Sequence, residues 1–191
     1  STAAASHAFT AIYSSSSTGN VDITNNLIGS ASTVRSIRAN TANTVTATGT
    51  AQIVYGIFAT GGAGGVVDIT GNQIRNLYTN ATTTSTSTQL RGISVNSAAF
   101  YTVDNNIIYN LETEAVNTGV GASATVVGII HNGGGTSQSI SGNTIYGLQI
   151  NATGVQSNMC GIVWNASSAL TNSIDRNFIH SFNSANTIAA S

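Results

Sequence analysis

The chain has 191 residues, only 6% of them charged, and a formal net charge of −1. It contains no Lys and its five Arg residues are dispersed, which argues against nucleic acid as a partner because a phosphate backbone requires clustered cations. No apolar run approaches the roughly twenty residues of a membrane-spanning helix, so no membrane insertion is expected. With 41% apolar residues and almost no net charge, we expect a single folded domain over residues 1–191.

A motif centred on Asn recurs five times along the chain. It consists of an aliphatic residue, two variable residues, Asn, one variable residue, Ile, two variable residues and usually Leu. Its copies read VDITNNLIGSA, VDITGNQIRNL, TVDNNIIYNL, SISGNTIYGL and SIDRNFIHSF. The Asn residues are Asn26, Asn72, Asn106, Asn143 and Asn177, and the final position is occupied by Ala31, Leu77, Leu111, Leu148 and Phe182. Such a recurring frame indicates a repeat architecture.

A second motif, with Gly before Ile, alternates with the first. It reads VYGIFA, LRGISV, VVGIIH and MCGIVW, with a weaker FTAIYS near the start of the chain. An apolar residue precedes each Gly by two positions, and strict strand alternation would place it on the face opposite to the Ile. We therefore expect the Gly to mark a bend or bulge that turns both side chains inward. The residues concerned are Gly56, Gly92, Gly128 and Gly161.

The apolar spacing favours short strands rather than helices. Apolar residues do not recur with helical periodicity, and β-branched residues, Gly and Asn disfavour helix. Short strands between Gly and Asn turns predict a β-solenoid. The IxxN and NxIxxL motifs resemble the coil motif of right-handed parallel β-helices, the fold of pectate lyases and of many secreted bacterial surface proteins. The resemblance implies an all-β, right-handed parallel β-helix of about five coils of roughly 33–45 residues, with variable Thr/Ser-rich loops at 32–51 and 78–89.

In a parallel coil, equivalent residues of successive turns lie about 4.8 Å apart and stack in ladders. We therefore expect the five Asn residues to form a structural ladder at one turn of the coil, with their amides bonded to one another and to turn carbonyls. Asn also tolerates the left-handed backbone region, which such a turn can require. The absence of Pro suits a fold in which nearly every strand lies between two others.

Candidate catalytic and metal-binding groups are few and scattered. Asp22 and Asp68 share a repeat position and would stack, close enough for a shared calcium ion or an acid/base pair, but later copies carry Thr or Ser there. Asp104 and Asp175 share another position with Ser141 between them, roughly 9 to 10 Å apart, which is marginally compatible with an inverting hydrolase. The three His residues lack zinc-site spacing. We predict no catalytic residue, no metal site and no cofactor.

Planar side chains dominate the position three residues after each ladder Asn. The first copy has Gly29 there, and the later copies have Arg75, Tyr109, Tyr146 and His180. If the apolar positions face inward, these four side chains form an exposed stripe that could stack on sugar rings. The other interpretation is that stacked rings only stabilise an outward face. The stripe is therefore a candidate glycan contact, with polysaccharide as a candidate partner.

The chain ends, STAAASHAF and NSANTIAAS, show no amphipathic cap of the kind that closes soluble solenoids. The last copy stops after its Asn motif and the first begins before its Ile strand, so the two ends are in phase. The chain is then either a slice of a longer solenoid or a unit that stacks head to tail on itself into a filament.

The sequence thus predicts a non-enzymatic, extracellular or cell-surface β-solenoid with a structural or adhesive role, whose main partner is itself. Low charge and the absence of Lys suit a secreted, protease-resistant material, and a bacterial surface protein or filament is the expected context. The other candidate function is a polysaccharide-binding or polysaccharide-cleaving β-helix domain, for which the stripe is the only indication.

Overall fold

The computed structural model describes residues 7–39, 51–81, 87–97, 100–115, 117–134, 137–153, 157–165 and 171–185. Within these ranges the chain forms strands and one 3₁₀ turn, Gly121–Ser123. The strands before residue 105 are β1 (His7–Thr24), β2 (Leu27–Ile28), β3 (Ile37–Arg38), β4 (Gln52–Thr70), β5 (Gln73–Thr79), β6 (Gln89–Ser97) and β7 (Phe100–Asp104). The later strands are β8 (Ile107–Thr113), β9 (Val126–His131), β10 (Gln138–Ser141), β11 (Thr144–Ile150), β12 (Met159–Trp164), β13 (Asn172–Asp175), β14 (Phe178–His180) and β15 (Asn183–Ser184).

These strands form two sheets in which every pair is parallel. The first sheet has the order β12-β9-β6-β4-β7-β10-β13, with β1 paired to β4. The long strand β4 pairs with β6 through its first half and with β7 through its second. The second sheet has the order β14-β11-β8-β5-β2, with β3 on β5 and β15 on β11. Because the chain returns repeatedly to parallel neighbours in both sheets, the protein is a parallel β-solenoid, which confirms the predicted fold class.

Strand pairing places equivalent residues of successive repeats side by side. The row before the ladder Asn is Ile23, Ile69, Val103, Ile140 and Ile174. The row after it is Ile28, Ile74, Ile108, Ile145 and Ile179. The Gly-Ile motif supplies a third row, Ile12, Ile57, Ile93, Ile129 and Ile162. Apart from Ile174 and Ile179, which are exposed at the C-terminal end, these rows line one apolar core along the solenoid axis.

Five strands stack in the second sheet, and the three inner ones, β5, β8 and β11, have a neighbour on each side. The solenoid therefore has about three enclosed turns, with a terminal segment at each end, where the repeat pattern predicted about five coils. The difference lies at the ends, because β2 has only two residues and β14 is exposed throughout.

The Gly residues of the second motif allow the core to close. Val54 and Ile57 flank the first of them and are both fully buried, so the strand turns both inward, as predicted. A Cβ atom on Gly92 would lie 2.5 Å from the carbonyl oxygen of Gly128 and 2.6 Å from Cγ2 of Ile108. Only Gly fits this position, because the backbone lies directly against the opposite row of Ile side chains.

At the N-terminal end, one predicted core position is wrong. The repeat pattern places Ala31 at the end of the first motif, but Ala31 is exposed, and Ile37 pairs with Leu77 in its place. A local turn causes the shift. The N–H of Ser30 donates to Oγ of Ser36 at 2.8 Å, which holds the intervening residues as a loop outside the coil.

Two further expectations fall partly outside the described residues. Of the Thr/Ser-rich stretches, residues 40–50 and 82–86 are not described, and neither are the chain ends at 1–6 and 186–191. In the described part of the second stretch, Tyr78 and Thr79 belong to β5 and are buried.

Candidate functional site

The row of Asn side chains is the most regular polar feature of the solenoid. Asn72 donates from its backbone N–H and from Nδ2 to Oδ1 of Asn106, at 2.9 and 3.0 Å. Its Nδ2 also donates to the carbonyl oxygen of Ile23 in the preceding turn, at 2.8 Å. The same paired bonds to the next Asn start from Asn26, Asn106 and Asn143. The predicted ladder is therefore present and runs through Asn26, Asn72, Asn106, Asn143 and Asn177.

This Asn ladder has a direction and leaves no free amide in its interior. Every bond between ladder residues runs from the N–H groups of one Asn to Oδ1 of the Asn in the following turn. Asn72, Asn106 and Asn143 are fully buried, and both ends of each amide are bonded. The ladder thus stabilises the turns and offers no group to a ligand between its ends.

The residue before each ladder Asn, rather than the ladder Asn itself, adopts the left-handed conformation. The φ angles are 56° at Asn25, 68° at Gly71, 54° at Asn105, 65° at Gly142 and 53° at Arg176. The expectation that the ladder residue uses this tolerance is therefore wrong. The ladder Asn directs both its N–H and its Nδ2 to the same Oδ1 atom of the next turn. The left-handed bend of the backbone therefore lies one residue before it.

A second polar row lies four residues after the ladder and is missed by the sequence analysis. Asn110 Nδ2 donates to Oδ1 of Asn76 at 3.2 Å, and Asn76 Nδ2 donates to the carbonyl oxygen of Ser30 at 2.7 Å. Asn76 and Asn110 have φ angles of 55° and 54°, and Gly147 and Ser181 take the same conformation at the equivalent position. The signal in the sequence is this recurrence of small turn-forming residues at one repeat position.

The predicted stripe is a stack of side chains. The rings of Tyr109 and Tyr146 are 4.9 Å apart with 2° between their planes, and those of Tyr146 and His180 are 5.1 Å apart with 3°. Arg75 extends the stack, with Nη1 donating to the hydroxyl of Tyr109 at 3.1 Å. The ring faces therefore cover one another, and their stacking stabilises this outward surface of the solenoid. Ring edges and hydroxyl groups remain for a ligand, and contact with a glycan stays a prediction.

A charged cluster, which the sequence analysis also misses, ties the loop before β3 to the third repeat. Arg35 binds Glu112 through two N–H groups, with Nε 2.8 Å from Oε2, and its Nη2 lies 3.6 Å from Oε1 of Glu114. Asn151 Nδ2 donates to both carboxylates. Since Arg35 and Glu112 are 77 residues apart in sequence, no local pattern signals the pairing.

Tyr78 completes this cluster. The guanidinium of Arg35 lies over its ring, with Cζ 4.2 Å from the centroid, and the hydroxyl donates to Oε1 of Glu114 at 3.2 Å. Burial, reinforced by the negative charge of Glu114, raises the pKa of Tyr78 to about 12. The hydroxyl therefore stays protonated at neutral pH, and both Glu side chains are engaged by donors.

An open pocket of about 220 Å³ adjoins the charged cluster. Its wall combines amide, carboxylate and guanidinium groups with the side chain of Val34, so it can exchange hydrogen bonds with a polar ligand and also offers it some apolar surface. The residues that contribute polar groups are Arg35, Asn76, Asn110, Glu112 and Gln149.

The Asp residues stack as their repeat positions predict. Asp22 pairs in register with Asp68, and the row continues with Thr102. Asp104 and Asp175 flank the row position of Ser141. No group of three or more His, Cys, Asp or Glu residues in the described ranges could hold a metal ion.

The stacked acids are accompanied by donors. Ser141 Oγ donates to Oδ1 of Asp104 at 3.1 Å, and Nε of Arg176 lies 3.5 Å from Oδ2 of Asp175. These contacts make the row a polar seam on the outside of the first sheet.

In the described part of the chain, no helix has the length and apolar character needed to cross a membrane.

Arg91 is buried, although the sequence analysis treats it as one of several dispersed cations. It is 1% exposed, and its guanidinium donates to the carbonyl oxygens of Thr125 at 2.9 Å and Ala122 at 3.1 Å. Burial lowers its pKa to about 10. The segment between β8 and β9 covers it by folding over the outside of the first sheet, where Ala124 joins a second apolar cluster. Arg91 therefore anchors a covering loop.

His131 is a second buried polar residue. It is 2% exposed, its ring stacks on Trp164 at 4.7 Å and meets Tyr101 edge-on at 5.5 Å. Neither ring nitrogen has a hydrogen-bond partner among the described residues, and the same holds for the side-chain amide of Gln138. Burial lowers the pKa of His131 to about 4, so the ring is neutral at physiological pH.

Comparisons with protein-family models, with curated proteins and with solved structures find no match to this chain.

Proposed function

We propose that this chain is an extracellular structural or adhesive β-solenoid, of the kind that resembles bacterial surface repeats, and that it assembles through its ends into a filament. The observation that carries the proposal is the open C-terminal end of the solenoid. Ile174 and Ile179 are 49% and 42% exposed there, whereas Ile140 and Ile145, one turn earlier, are at most 2% exposed. An apolar end whose strands are largely exposed favours addition of another coil.

The surface along the sides of the solenoid supports a structural rather than an enzymatic role. Only 6% of the residues are charged, so little electrostatic repulsion opposes association. Glu112 and Glu114 are engaged by Arg35, Asn151 and Tyr78, and are therefore poorly placed to act as free acid and base. A side surface of Ser, Thr and Asn with few charges suits an extracellular material.

Light scattering and negative-stain microscopy of the purified chain test the proposal. We expect the wild type to form linear oligomers as concentration rises, and Ile179→Lys to remain monomeric because it places a charge on the exposed apolar end. The matched control is Val34→Lys, which adds the same charge at a residue that is 71% exposed on the side pocket. A wild-type chain that stays monodisperse and monomeric at high concentration would refute the proposal.

Polysaccharide binding is a second candidate function, favoured by the polar pocket and the neighbouring stack of rings. The hydroxyl groups of Tyr109 and Tyr146 in the stack and the amide of Gln149 in the pocket could bind sugar hydroxyls. Replacing both Tyr residues by Phe keeps the stack and removes the hydroxyls. If these groups bind glycans, a polysaccharide retained by the wild type should bind the double variant more weakly. Equal binding would exclude these hydroxyls, and no binding by the wild type would exclude the function.

A further inference from the structure

We infer that the interior of the solenoid binds water at the corner between β9 and β10, and that the side chains of His131 and Gln138 hold this water between them. The inference goes beyond the proposed structural function, because it concerns the inside of the coil rather than its surfaces or its assembly. Three properties of the two residues support it: their position, their burial and the hydrogen bonds that their side chains can make.

His131 and Gln138 lie on either side of one interior corner of the coil. His131 is the last residue of β9 and pairs in register with Val95 of β6. Gln138 is the first residue of β10 and pairs with Tyr101 of β7. The rings of Tyr101 and His131 are in edge-on contact, with 5.5 Å between their centroids. The row that contains His131 and the row that contains Gln138 therefore meet inside the coil.

The same two row positions are apolar one repeat earlier along the solenoid. Ala59 of β4 pairs with Val95, and Val67 of β4 pairs with Tyr101. Ala59 and Val67 belong to the apolar core and are at most 1% exposed, so this corner is filled there by groups that need no hydrogen bond. At the corner between β9 and β10, an imidazole and a carboxamide take their place. The interior thus changes from apolar to polar along its axis.

The polar atoms of His131 and Gln138 are buried without partners. The two residues are 2% and 3% exposed. Nδ1 and Nε2 of His131 and Oε1 and Nε2 of Gln138 have no hydrogen-bond partner among the described residues. Burial of an unpaired donor or acceptor destabilises a fold, because the group loses its hydration and gains nothing in return. Four such atoms in one corner therefore indicate a bound polar molecule.

Water matches these atoms better than an ion does. A neutral imidazole offers one N–H donor and one acceptor nitrogen, and a carboxamide offers two N–H donors and an acceptor oxygen. The His131 ring is neutral at physiological pH, because burial lowers its pKa to about 4. A cation would serve only the acceptors and an anion only the donors, whereas water serves both. A buried water typically makes about three hydrogen bonds to groups of this kind.

A double-mutant cycle tests the water bridge. The variants are His131→Phe and Gln138→Leu, made singly and together, which replace each polar side chain by an apolar one of similar size. If water joins the two side chains, either single substitution leaves the other side chain buried without its partner, so each should lower the melting temperature. The double variant should melt above both single variants, because no polar side chain then remains at this position in either row.

The matched control cycle combines His131→Phe with Val34→Ala, at an exposed residue beside the second sheet, and its two effects should add. Additive effects of His131→Phe and Gln138→Leu would overturn the inference. In particular, a rise in melting temperature with each single substitution and the sum of both rises in the double variant would identify a dry corner, relieved of two unpaired side chains.

NMR of the isotope-labelled wild type gives a second test that requires no substitution. We expect cross-peaks between water protons and the side-chain N–H groups of Gln138. The control is the carboxamide of Asn106, which is also fully buried but donates to the carbonyl oxygen of Ile69 and to Oδ1 of Asn143, and which should show no such cross-peak. If Gln138 gives no water cross-peak either, the inference is overturned. Neither test depends on assembly, so the proposed structural function stands with either result.

Discussion

Each inner ladder Asn bonds to two neighbouring turns at once, and this requirement decides the residue type. Asn106 accepts at Oδ1 from Asn72 and donates from Nδ2 to the carbonyl oxygen of Ile69 and to Oδ1 of Asn143. Asp lacks the donor, and an aliphatic residue lacks both groups. Since the site is fully buried, every group left unpaired would lose its bond without gaining one to water.

Asn106→Leu tests the ladder at its centre. The substitution leaves the N–H groups of Asn72 and the carbonyl oxygen of Ile69 buried without partners, so we expect a loss of roughly 3 to 5 kcal/mol in the free energy of unfolding. Denaturant unfolding at low protein concentration measures it. The control is Asn96→Leu, on an exposed residue of β6, for which we expect a change within about 0.5 kcal/mol. Equal stability of the two variants would exclude a structural role for the ladder.

His131 makes the stability of the solenoid dependent on pH. Burial lowers its pKa in the folded chain to about 4, below the ordinary value of about 6.5 that it regains on unfolding. The unfolded chain therefore binds a proton first as pH falls, and stability is lost between about pH 6.5 and 4. From pH 7.5 to pH 5 this one group should remove about 2 kcal/mol.

His131→Phe is the matched control for that pH dependence, because it keeps a ring between Trp164 and Tyr101 and removes the titrating group. Unfolding midpoints at pH 7.5 and 5 should move closer together in the variant than in the wild type. If both proteins lose the same stability over this interval, another group is responsible.

The two sheets can close around the core because Gly lies where a strand of the first sheet is in closest contact with a strand of the second. At each Gly-Ile motif the backbone of one strand lies against the Ile side chain of the strand after the ladder Asn. Gly92, for example, has Cγ2 of Ile108 at 2.6 Å from the position of a Cβ atom. The cross-section of the coil is therefore set by the smallest residue facing one of the largest aliphatic ones.

Gly92→Ala should accordingly lower the free energy of unfolding. The added methyl group would meet the carbonyl oxygen of Gly128 at 2.5 Å, and backbone cannot yield as a flexible side chain can, so we expect about 2 to 3 kcal/mol of destabilisation. Gly64→Ala is the control, because its Cβ position has no neighbour within 4 Å. Thermal melting of both variants measures the difference. Similar melting temperatures would mean that the coil expands to accept the methyl group.

The elements that the sequence predicts are those fixed by the repeat. The Ile–Asn–Ile frame recurs in every copy, so the ladder, the Ile rows and the inward pair around each Gly all follow from one pattern. The repeat pattern predicts the wrong place for Ala31, because the first copy inserts a loop, closed by Ser30 and Ser36, before the chain rejoins the coil at Ile37. Periodicity carries no information about such an insertion.

Contacts outside the frame could not be predicted, because they depend on where loops fold back. Arg35 reaches Glu112 from another repeat, and the loop after β8 folds over Arg91. In the sequence, Arg35 belongs to the inserted loop of the first repeat, whereas Arg91 occupies an outward position of β6. Their pairing or burial is decided by tertiary packing of segments that differ from repeat to repeat.

The molecule as a whole is a stack in which each turn contacts only the turns beside it. In such an arrangement, stability is approximately a sum of terms for each turn and each interface between turns. The inner strands β5, β8 and β11 have two interfaces, whereas β14 has one. The C-terminal turn should therefore open more often than the turns inside the stack.

Hydrogen exchange measured by mass spectrometry tests this gradient and its link to assembly. In a dispersed chain we expect the amides of residues 171–185 to exchange at least roughly tenfold faster than those of residues 137–150, because the last turn lacks a neighbour on one side. On assembly, the slower rate should extend to residues 171–185, since docking of a second copy supplies the missing interface. Ile179→Lys should keep the fast exchange at all concentrations. Uniform exchange across both segments in the dispersed chain would mean that the solenoid unfolds as one cooperative unit, and its exposed end would then be as stable as its core.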